Sequence, residues 1–211
     1  MFFLAGPAAR AANLVWIGGF NANWNFSGGT SVSNWGNGLR PTGGDDVLTF
    51  PSGGSNKTMQ QDFPAGAAFV QLIFQGAGYV LEGNEFQLQD QIFTGVQPAI
   101  TLTHGAGTTV INTPFSVPDG DFLTLSVSNP AATLDLSREF TTTGTVNVTG
   151  AGTVIFDGVA NRSPATLRST WERDRIVRCF LSTAPRPEVW KCAKERRCGA
   201  EEISATPPAI R

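Results

Sequence analysis

The sequence Gly150-Ala-Gly-Thr-Val-Ile-Phe156 decides the fold class, because it joins a glycine triplet directly to a short run of β-forming residues. The same arrangement occurs at Gly105-Ala-Gly-Thr-Thr-Val-Ile111 and at Gly76-Ala-Gly-Tyr-Val-Leu81. Similar runs of β-forming residues recur at intervals of roughly 20 to 25 residues, which is typical of a solenoid. We therefore predict that each interval is one coil, and that coils stack about 4.8 Å apart through backbone hydrogen bonds.

Short alternating or β-branched runs surround these triplets, and turn residues separate them. They predict strands at 46–50, 69–74, 79–81, 86–88, 99–103, 108–111, 122–127, 133–136, 145–149 and 153–156. No window before residue 160 has the spacing of an amphipathic helix, so this part of the chain is all-β. Residues 58–160 would form four or five coils. An antiparallel β-sandwich is the alternative, because its turns also recur every 8 to 12 residues or so.

Charge divides the chain near residue 160. Residues 1–160 contain four basic and eleven acidic residues, a net charge of −7, whereas residues 161–211 contain eleven basic and six acidic residues, a net charge of +5. The same boundary separates 23 of the 24 glycines from all three cysteines. The chain is therefore two segments of unrelated composition.

The N-terminus opens with the apolar residues 2–5 and reaches Ala9-Arg10-Ala11, a small-x-small pattern that fits a signal-peptidase site. We interpret residues 1–12 as the remnant of a secretory signal that starts upstream. A frayed apolar terminus of a cytoplasmic protein is the alternative. No apolar run approaches the roughly 18 residues that a membrane-spanning helix needs, so no such helix is expected.

The following region carries an ordered set of motifs: Trp16-Ile-Gly-Gly-Phe-Asn-Ala-Asn-Trp24, then Asn34-Trp35, Arg40-Pro41 and Gly44-Asp-Asp-Val-Leu-Thr-Phe50. With the glycine-rich run that ends at Gly158, this order resembles bacterial surface proteins that carry autotransporter-associated β-strand repeats. The resemblance covers about residues 14–158. It implies a right-handed parallel β-helix used as a secreted or cell-surface passenger or stalk, with no enzymatic residues to carry over.

Residues 13–57 are predicted to cap the solenoid. The first coil needs a cover because an exposed strand edge templates aggregation. Trp16, Trp24 and Trp35 could form the apolar plug of that cap, with asparagine and glycine shaping its turns. The functional alternative is that these three tryptophans form a ligand-binding platform on which sugar rings stack.

Residues 161–211 lack strand periodicity and form a basic tail. We expect this tail to be poorly ordered, with a short helix over Trp171–Leu181, and we interpret it as the product of a changed reading frame. Cys179, Cys192 and Cys198 match no standard metal-binding spacing. Acidic residues dilute the arginines and lysines, so no nucleic-acid partner is expected.

Few residues before position 160 suggest chemistry. Asp45, Asp46, Asp119 and Asp121 could ligate Ca²⁺, but their spacing fits neither an EF-hand nor the calcium-binding nonapeptide repeat. A turn that feeds the next strand is the preferred interpretation of the first pair. His104 is the only histidine and no G-x-S-x-G serine accompanies it, so we expect an exposed turn residue. We predict no catalytic residue, cofactor or metal.

These observations predict a non-catalytic structural or adhesive fragment of a secreted or cell-surface protein of the bacterial outer membrane or extracellular space. Its partners would be cell-surface glycans or the surfaces of host or neighbouring cells. A carbohydrate-binding module that uses Trp16, Trp24 or Trp35 is the second hypothesis. A β-helix enzyme that cleaves polysaccharides is the third, although residues 58–160 contain a single basic residue, Arg138, for an acidic substrate.

Overall fold

The computed structural model describes residues 12–29, 32–91, 95–118, 121–142 and 144–157, without the side chain of residue 37, and the backbone of residues 166–169, 178–183 and 186–190. A single 3-10 turn, Gly36–Gly38, accompanies the strands. The strands are β1 Asn13–Val15, β2 Ser27–Gly29, β3 Val32–Ser33, β4 Val47–Phe50, β5 Thr58–Gln61, β6 Ala67–Phe69, β7 Gln71–Phe74, β8 Val80–Gly83, β9 Phe86–Leu88, β10 Ala99–Leu102, β11 Gly107–Ile111, β12 Phe115–Val117, β13 Leu123–Val127, β14 Ala132–Leu136, β15 Phe140–Thr142, β16 Thr145–Gly150, β17 Thr153–Phe156, β18 Thr166–Ser169, β19 Arg178–Thr183 and β20 Arg186–Trp190.

The chain passes through three sheets in turn and then repeats the circuit. The first sheet has the order β1-β4-β7-β10-β13-β16-β18, the second β5-β8-β11-β14-β17-β19-β20, and the third β6-β9-β12-β15. Each coil contributes one strand to the first, second and third sheet, in that order. The protein is therefore a β-solenoid of about four turns, with the short hairpin of β2 and β3 beside it.

Neighbouring coils pair in parallel and in register. One inward column of the first sheet runs through Leu48, Leu72, Ile100, Leu125 and Val148, which lie 24, 28, 25 and 23 positions apart. Antiparallel pairing joins only β2 to β3 and β19 to β20 among the described strands. The solenoid prediction is confirmed, and the alternative of an antiparallel sandwich is wrong because the sheets grow by addition of parallel coils.

Alternation along each strand sends one set of side chains into the solenoid. In β13 and β14, every second residue is buried and the residues between them are half-buried. Aromatic rings stack along the interior of the third sheet, where Phe86, Phe115 and Phe140 lie 5.3 Å apart with neighbouring ring planes inclined by 13°. Burial of such rings is the main apolar contribution to the stability of this fold.

The glycine triplets lie at the corners between the first and second sheets. Gly150 has φ +91, and a Cβ there would come within 2.3 Å of the Val127 carbonyl oxygen. A Cβ on Gly152 would come within 2.1 Å of the Val127 side chain. These two positions require glycine because the corner of one coil lies directly on the strand of the preceding coil. The triplet is thus a packing requirement of the stacked coils.

Tyr79 is the only tyrosine of the chain, and its buried hydroxyl donates a 2.6 Å hydrogen bond to the Pro51 carbonyl oxygen. Burial raises the pKa of Tyr79 to about 12. A pKa raised above the ordinary value near 10 means that the folded state holds the proton more tightly than the unfolded chain. The stabilising contribution is therefore complete below about pH 10 and is lost as the pH rises toward 12.

We expect the tyrosinate absorbance near 295 nm to appear only at about pH 12 in the folded chain, and near pH 10 in urea. Because there is one tyrosine, the absorbance titration reports this group alone. A folded chain whose tyrosine titrates near pH 10, with its circular dichroism unchanged, would contradict the buried position.

The backbone of the tail continues the sheets. Strand β18 pairs in parallel with β16, β19 pairs in parallel with β17, and β20 returns antiparallel to β19. The helix predicted over Trp171–Leu181 is therefore wrong at residues 178–181, which belong to β19; β-branched and aromatic residues around them favour an extended strand. Residues 171–177, and residues 1–11 of the predicted signal remnant 1–12, lie outside the described residues. The changed reading frame stays a prediction.

The described part of the chain includes no helix that is long and apolar enough to cross a membrane.

Candidate functional site

The three predicted cap residues form one aromatic cluster at the N-terminal end of the solenoid. The rings of Trp16 and Trp35 lie 5.1 Å apart, and those of Trp24 and Trp35 lie 5.7 Å apart, both edge to face. Trp24 also stacks on Phe50 at 5.6 Å and meets Phe69 edge to face at 5.6 Å. Phe50 and Phe69 belong to the first complete coil, so the cluster closes its interior.

Burial of these rings decides what they can do. Trp16, Trp24 and Trp35 each have 0% of their surface exposed. A sugar stacks on a ring face that is open to solvent, and none of the three tryptophans offers one. Their position matches the predicted apolar plug, and their burial removes the geometric basis for the alternative of a sugar platform.

Two of the indole N–H groups are held by backbone oxygens. Trp16 Nε1 donates to the Ser55 carbonyl oxygen at 2.9 Å, and Trp35 Nε1 donates to the Trp24 carbonyl oxygen at 2.8 Å. Trp24 Nε1 is buried and has no hydrogen-bond partner among the described residues. The first two bonds fix the ring orientations of the cluster, since an indole can donate only through this group.

The cap also covers the open edges of two sheets. Trp16 and Trp35 form an antiparallel bridge beside β1, where Ile17 N donates to the Asn34 carbonyl oxygen at 2.8 Å. At the edge of the second sheet, Trp24 N donates to the Gln60 carbonyl oxygen at 2.9 Å, and Gln60 N donates to the Ala22 carbonyl oxygen at 2.8 Å. Such bonds occupy edge groups that would otherwise pair with another chain.

Asn34 organises the backbone of the cap from a fully buried position. Its Nδ2 donates to Asn21 Oδ1 at 2.6 Å and to the Asn23 carbonyl oxygen at 2.8 Å, and its Oδ1 accepts from Phe20 N at 3.0 Å and Asn21 N at 3.2 Å. All four hydrogen-bonding positions of the amide are thus used. The asparagine-rich composition of this region has a structural reason.

Replacing Asn34 with alanine is expected to lower the free energy of unfolding by about 1–3 kcal/mol, because it leaves buried backbone groups without partners. Urea denaturation followed by tryptophan fluorescence measures the change. Asn13→Ala is the matched control, since Asn13 is exposed on the neighbouring β1 and should change stability by less than about 0.5 kcal/mol. Equal effects of the two substitutions would contradict the role assigned to Asn34.

Asp46 ties the start of the solenoid to the cap. Its Oδ1 accepts from Ala12 N at 3.1 Å, and its Oδ2 accepts from Thr42 N at 2.8 Å and Gly43 N at 3.3 Å. Burial raises the pKa of the Asp46 carboxyl, and these backbone donors oppose that rise. The carboxylate shapes the turn before β4, as the sequence predicts.

The aspartates proposed as Ca²⁺ ligands do not come together. Both carboxylate oxygens of Asp46 accept hydrogen bonds from backbone N–H groups. Asp121 Oδ2 accepts from Asp90 N at 3.2 Å, and Asp119 lies outside the described residues. In the residues that the structure describes, no group of three or more His, Cys, Asp or Glu side chains could hold a metal ion.

His104 is buried, and the prediction of an exposed turn residue is wrong. Its exposed fraction is 5%, and its ring nitrogens contact the Gly105 carbonyl oxygen at 3.0 Å and Thr109 Oγ1 at 3.1 Å. A carbonyl oxygen can only accept, so Nδ1 carries the proton and a neutral ring accepts at Nε2 from the threonine hydroxyl. The imidazole thus links the corner before β11 to Thr109 within that strand by hydrogen bonds.

A groove lies at the side of the cap that the bridges leave uncovered. It has a volume of about 350 Å³ and is lined by Asn25, Arg40, Pro41, Thr42 and Phe63. No hydrogen bond among the described residues joins the cap to the third sheet's edge strand β6, although Gly43 lies close to the Ala68 carbonyl oxygen. The groove therefore lies between the cap and the segment that joins β5 to β6.

Polar groups and one ring face line this groove. Arg40 is exposed, and its Nη1 donates to Asn25 Oδ1 at 2.7 Å. Asn25 N donates to Asp62 Oδ1 at 2.7 Å, which fixes the asparagine beside the groove. The half-buried ring of Phe63 rests with one edge near Phe69, at 6.2 Å between centroids. The sequence marks Arg40-Pro41 only as a motif, and it gives no signal that Phe63 lies beside it.

Comparison of the chain with known protein families, with characterised proteins and with solved structures finds no match. The resemblance to autotransporter-associated repeat proteins therefore stays a prediction, and the architecture stands on the parallel coils alone.

Proposed function

We propose that this chain is the capped end of a non-catalytic structural or adhesive solenoid that acts at the surface of the cell or outside it. The observation that carries the proposal is the asymmetry of the cap. Buried tryptophans fill one end of the interior, and backbone bonds occupy the edges of the first and second sheets. The cap thus covers part of the N-terminal end of the coils, which suits a rod that projects from a fixed point.

The outer faces of the coils support a role in presentation. The three sheets offer continuous columns of side chains, such as Thr49, Ile73, Thr101, Ser126 and Thr149 on the first sheet. These columns are set by register alone, so they hold side chains at fixed spacing whatever their chemistry. Such a surface is well suited to contact with a polymer or a neighbouring cell.

Bead adhesion tests this proposal. Beads coated with the purified chain should bind to bacterial cells or to immobilised surface polysaccharide, and beads coated with the Trp35→Ala variant should not, because the cap fails. Incubation of the chain with the same polysaccharides should release no new reducing ends. Depolymerisation of any of them would overturn the non-catalytic role, and wild-type beads that bind no better than uncoated beads would overturn the adhesive one.

Cellular location is tested separately. An antibody raised against the cap should label intact cells that produce the chain, and added protease should remove the label. Labelling that requires permeabilised cells would place the protein inside and remove the surface role.

A further inference from the structure

We infer that the groove lined by Asn25, Arg40, Pro41, Thr42 and Phe63 binds one uncharged pyranose ring of a surface polysaccharide. This inference rests on the proposed adhesive function and names the ligand class for it. It assigns the sugar contact to Phe63 instead of the buried tryptophans.

The apolar part of the groove suits the face of a sugar ring. Phe63 packs against the core and meets Phe69 edge to face, and its half-buried ring keeps part of its surface in contact with solvent, while Pro41 is a buried apolar neighbour. The C–H groups of a pyranose form a flat apolar face that packs against such surfaces, as aromatic side chains offer large contact area at low entropic cost. A flexible peptide side chain would gain less from this rigid pair.

The polar part of the groove suits hydroxyl groups. Arg40 has five N–H donors, and its bond to Asn25 uses one of them, so the other donors can meet ligand oxygens. Asn25 Oδ1 is engaged with Arg40, which turns its Nδ2 donors toward further acceptors. The Thr42 hydroxyl is already bound to the Asp46 carboxylate, so it is not counted among the free groups. The remaining donors of Arg40 and Asn25 match a polyol, in which every hydroxyl can accept as well as donate.

Charge favours an uncharged ligand over an acidic one. The described side chains include three basic and ten acidic residues, so the body of the solenoid repels anions. Two of those carboxylates, Asp62 and Asp46, lie beside the lining residues Asn25 and Thr42. They offset the charge of Arg40, so its role is to donate hydrogen bonds.

The size of the groove limits the ligand to a short segment. A volume of about 350 Å³ lies at the lower end of the range for small-molecule sites. The groove is open to solvent along one side, so binding by a single copy should be weak, with a Kd of about 1–10 mM. Repeated sugar units and several copies of the protein on one surface would raise the avidity.

Nuclear magnetic resonance of the full chain tests the inference, with methyl glucopyranoside, methyl galactopyranoside and methyl mannopyranoside as probes and glucuronate as the acidic comparison. We expect saturable shifts of the Asn25 side-chain amide and the Arg40 Nε–H signal with at least one neutral probe, at concentrations up to about 50 mM. Arg40→Gln and Phe63→Leu should each weaken binding at least fivefold. Arg138→Gln and Phe122→Leu, which change an exposed arginine and an exposed phenylalanine elsewhere, should leave it unchanged.

Each other result overturns the inference. No saturable shift with any neutral probe excludes the groove as a sugar site, and stronger binding of glucuronate than of every neutral probe excludes the uncharged ligand. Binding that survives in both Arg40→Gln and Phe63→Leu places the sugar elsewhere. Because folding of each variant is checked by its amide spectrum, a loss of binding is separable from unfolding. Bead adhesion that persists without a sugar shift leaves the proposed function standing and rejects only this ligand.

Discussion

Trp35→Ala is expected to lower the free energy of unfolding by about 3–5 kcal/mol, which is a large share of the stability of a domain of this size. Trp35 is fully buried and its ring contacts Trp16, Trp24 and Phe50 at the centre of the cap. Its removal leaves a cavity among aromatic rings and frees the Trp24 carbonyl oxygen that accepted its N–H. Urea denaturation followed by circular dichroism measures the loss.

Two further variants divide this effect into its causes. Trp35→Phe keeps an aromatic ring but loses the indole N–H, so it should cost less than alanine. Leu39→Ala is the control, because Leu39 lies in the same cap with 58% of its surface exposed and should change stability by less than about 0.5 kcal/mol. A cap that tolerates Trp35→Ala as well as Leu39→Ala would contradict its role as a plug.

Loss of the cap should also change the solution behaviour of the chain. The bridge between Trp16 and Trp35 occupies the edge beside β1, and an open edge pairs with other chains. We therefore expect Trp35→Ala to form oligomers in light scattering at concentrations where the Leu39→Ala control stays monomeric.

The sequence predicts the solenoid because period and glycine placement are local signals. The alternation of apolar and polar residues in β13 can be recognised in the amino-acid sequence. The glycine at position 152, where neighbouring coils approach closely, can be recognised there too. Some strands of three residues carry too few apolar residues to be recognised from the sequence. β12 and β15 are of this kind, and their inward residues Phe115 and Phe140 are recognised only when neighbouring coils align.

The site is harder to predict because it depends on contacts between distant residues. The sequence does not distinguish exposed tryptophans from buried ones. Only the fold shows that Trp24 packs on Phe50 and Phe69. His104 was expected at the surface because it precedes a glycine turn, whereas Thr109 from the adjoining strand supplies its buried partner. Arg40 and Phe63 line the same groove from distant positions in the sequence, which no spacing rule encodes.

Phe115→Ala is expected to lower the free energy of unfolding by about 3–5 kcal/mol through a cavity in the middle of the solenoid. The ring lies between those of Phe86 and Phe140, 5.3 Å from each, and its exposed fraction is 2%. Neighbouring coils cannot move together to fill the space, because β12 is held in register by β9 and β15 on either side. The cost should therefore lie near the upper part of the range for phenylalanine.

Phe115→Leu and Phe122→Ala make this prediction specific. Leucine keeps most of the apolar volume and loses the two stacked contacts, so its cost should be about 1–2 kcal/mol. Phe122 is 51% exposed, and its replacement by alanine should cost less than about 1 kcal/mol. If Phe115→Ala and Phe122→Ala were equally mild, the stacked rings would not hold the coils together.

A solenoid is stabilised by contacts between neighbouring coils. The Phe115→Ala substitution should therefore also separate the unfolding of the N-terminal coils from that of the C-terminal coils. Hydrogen exchange would detect this separation as two transitions.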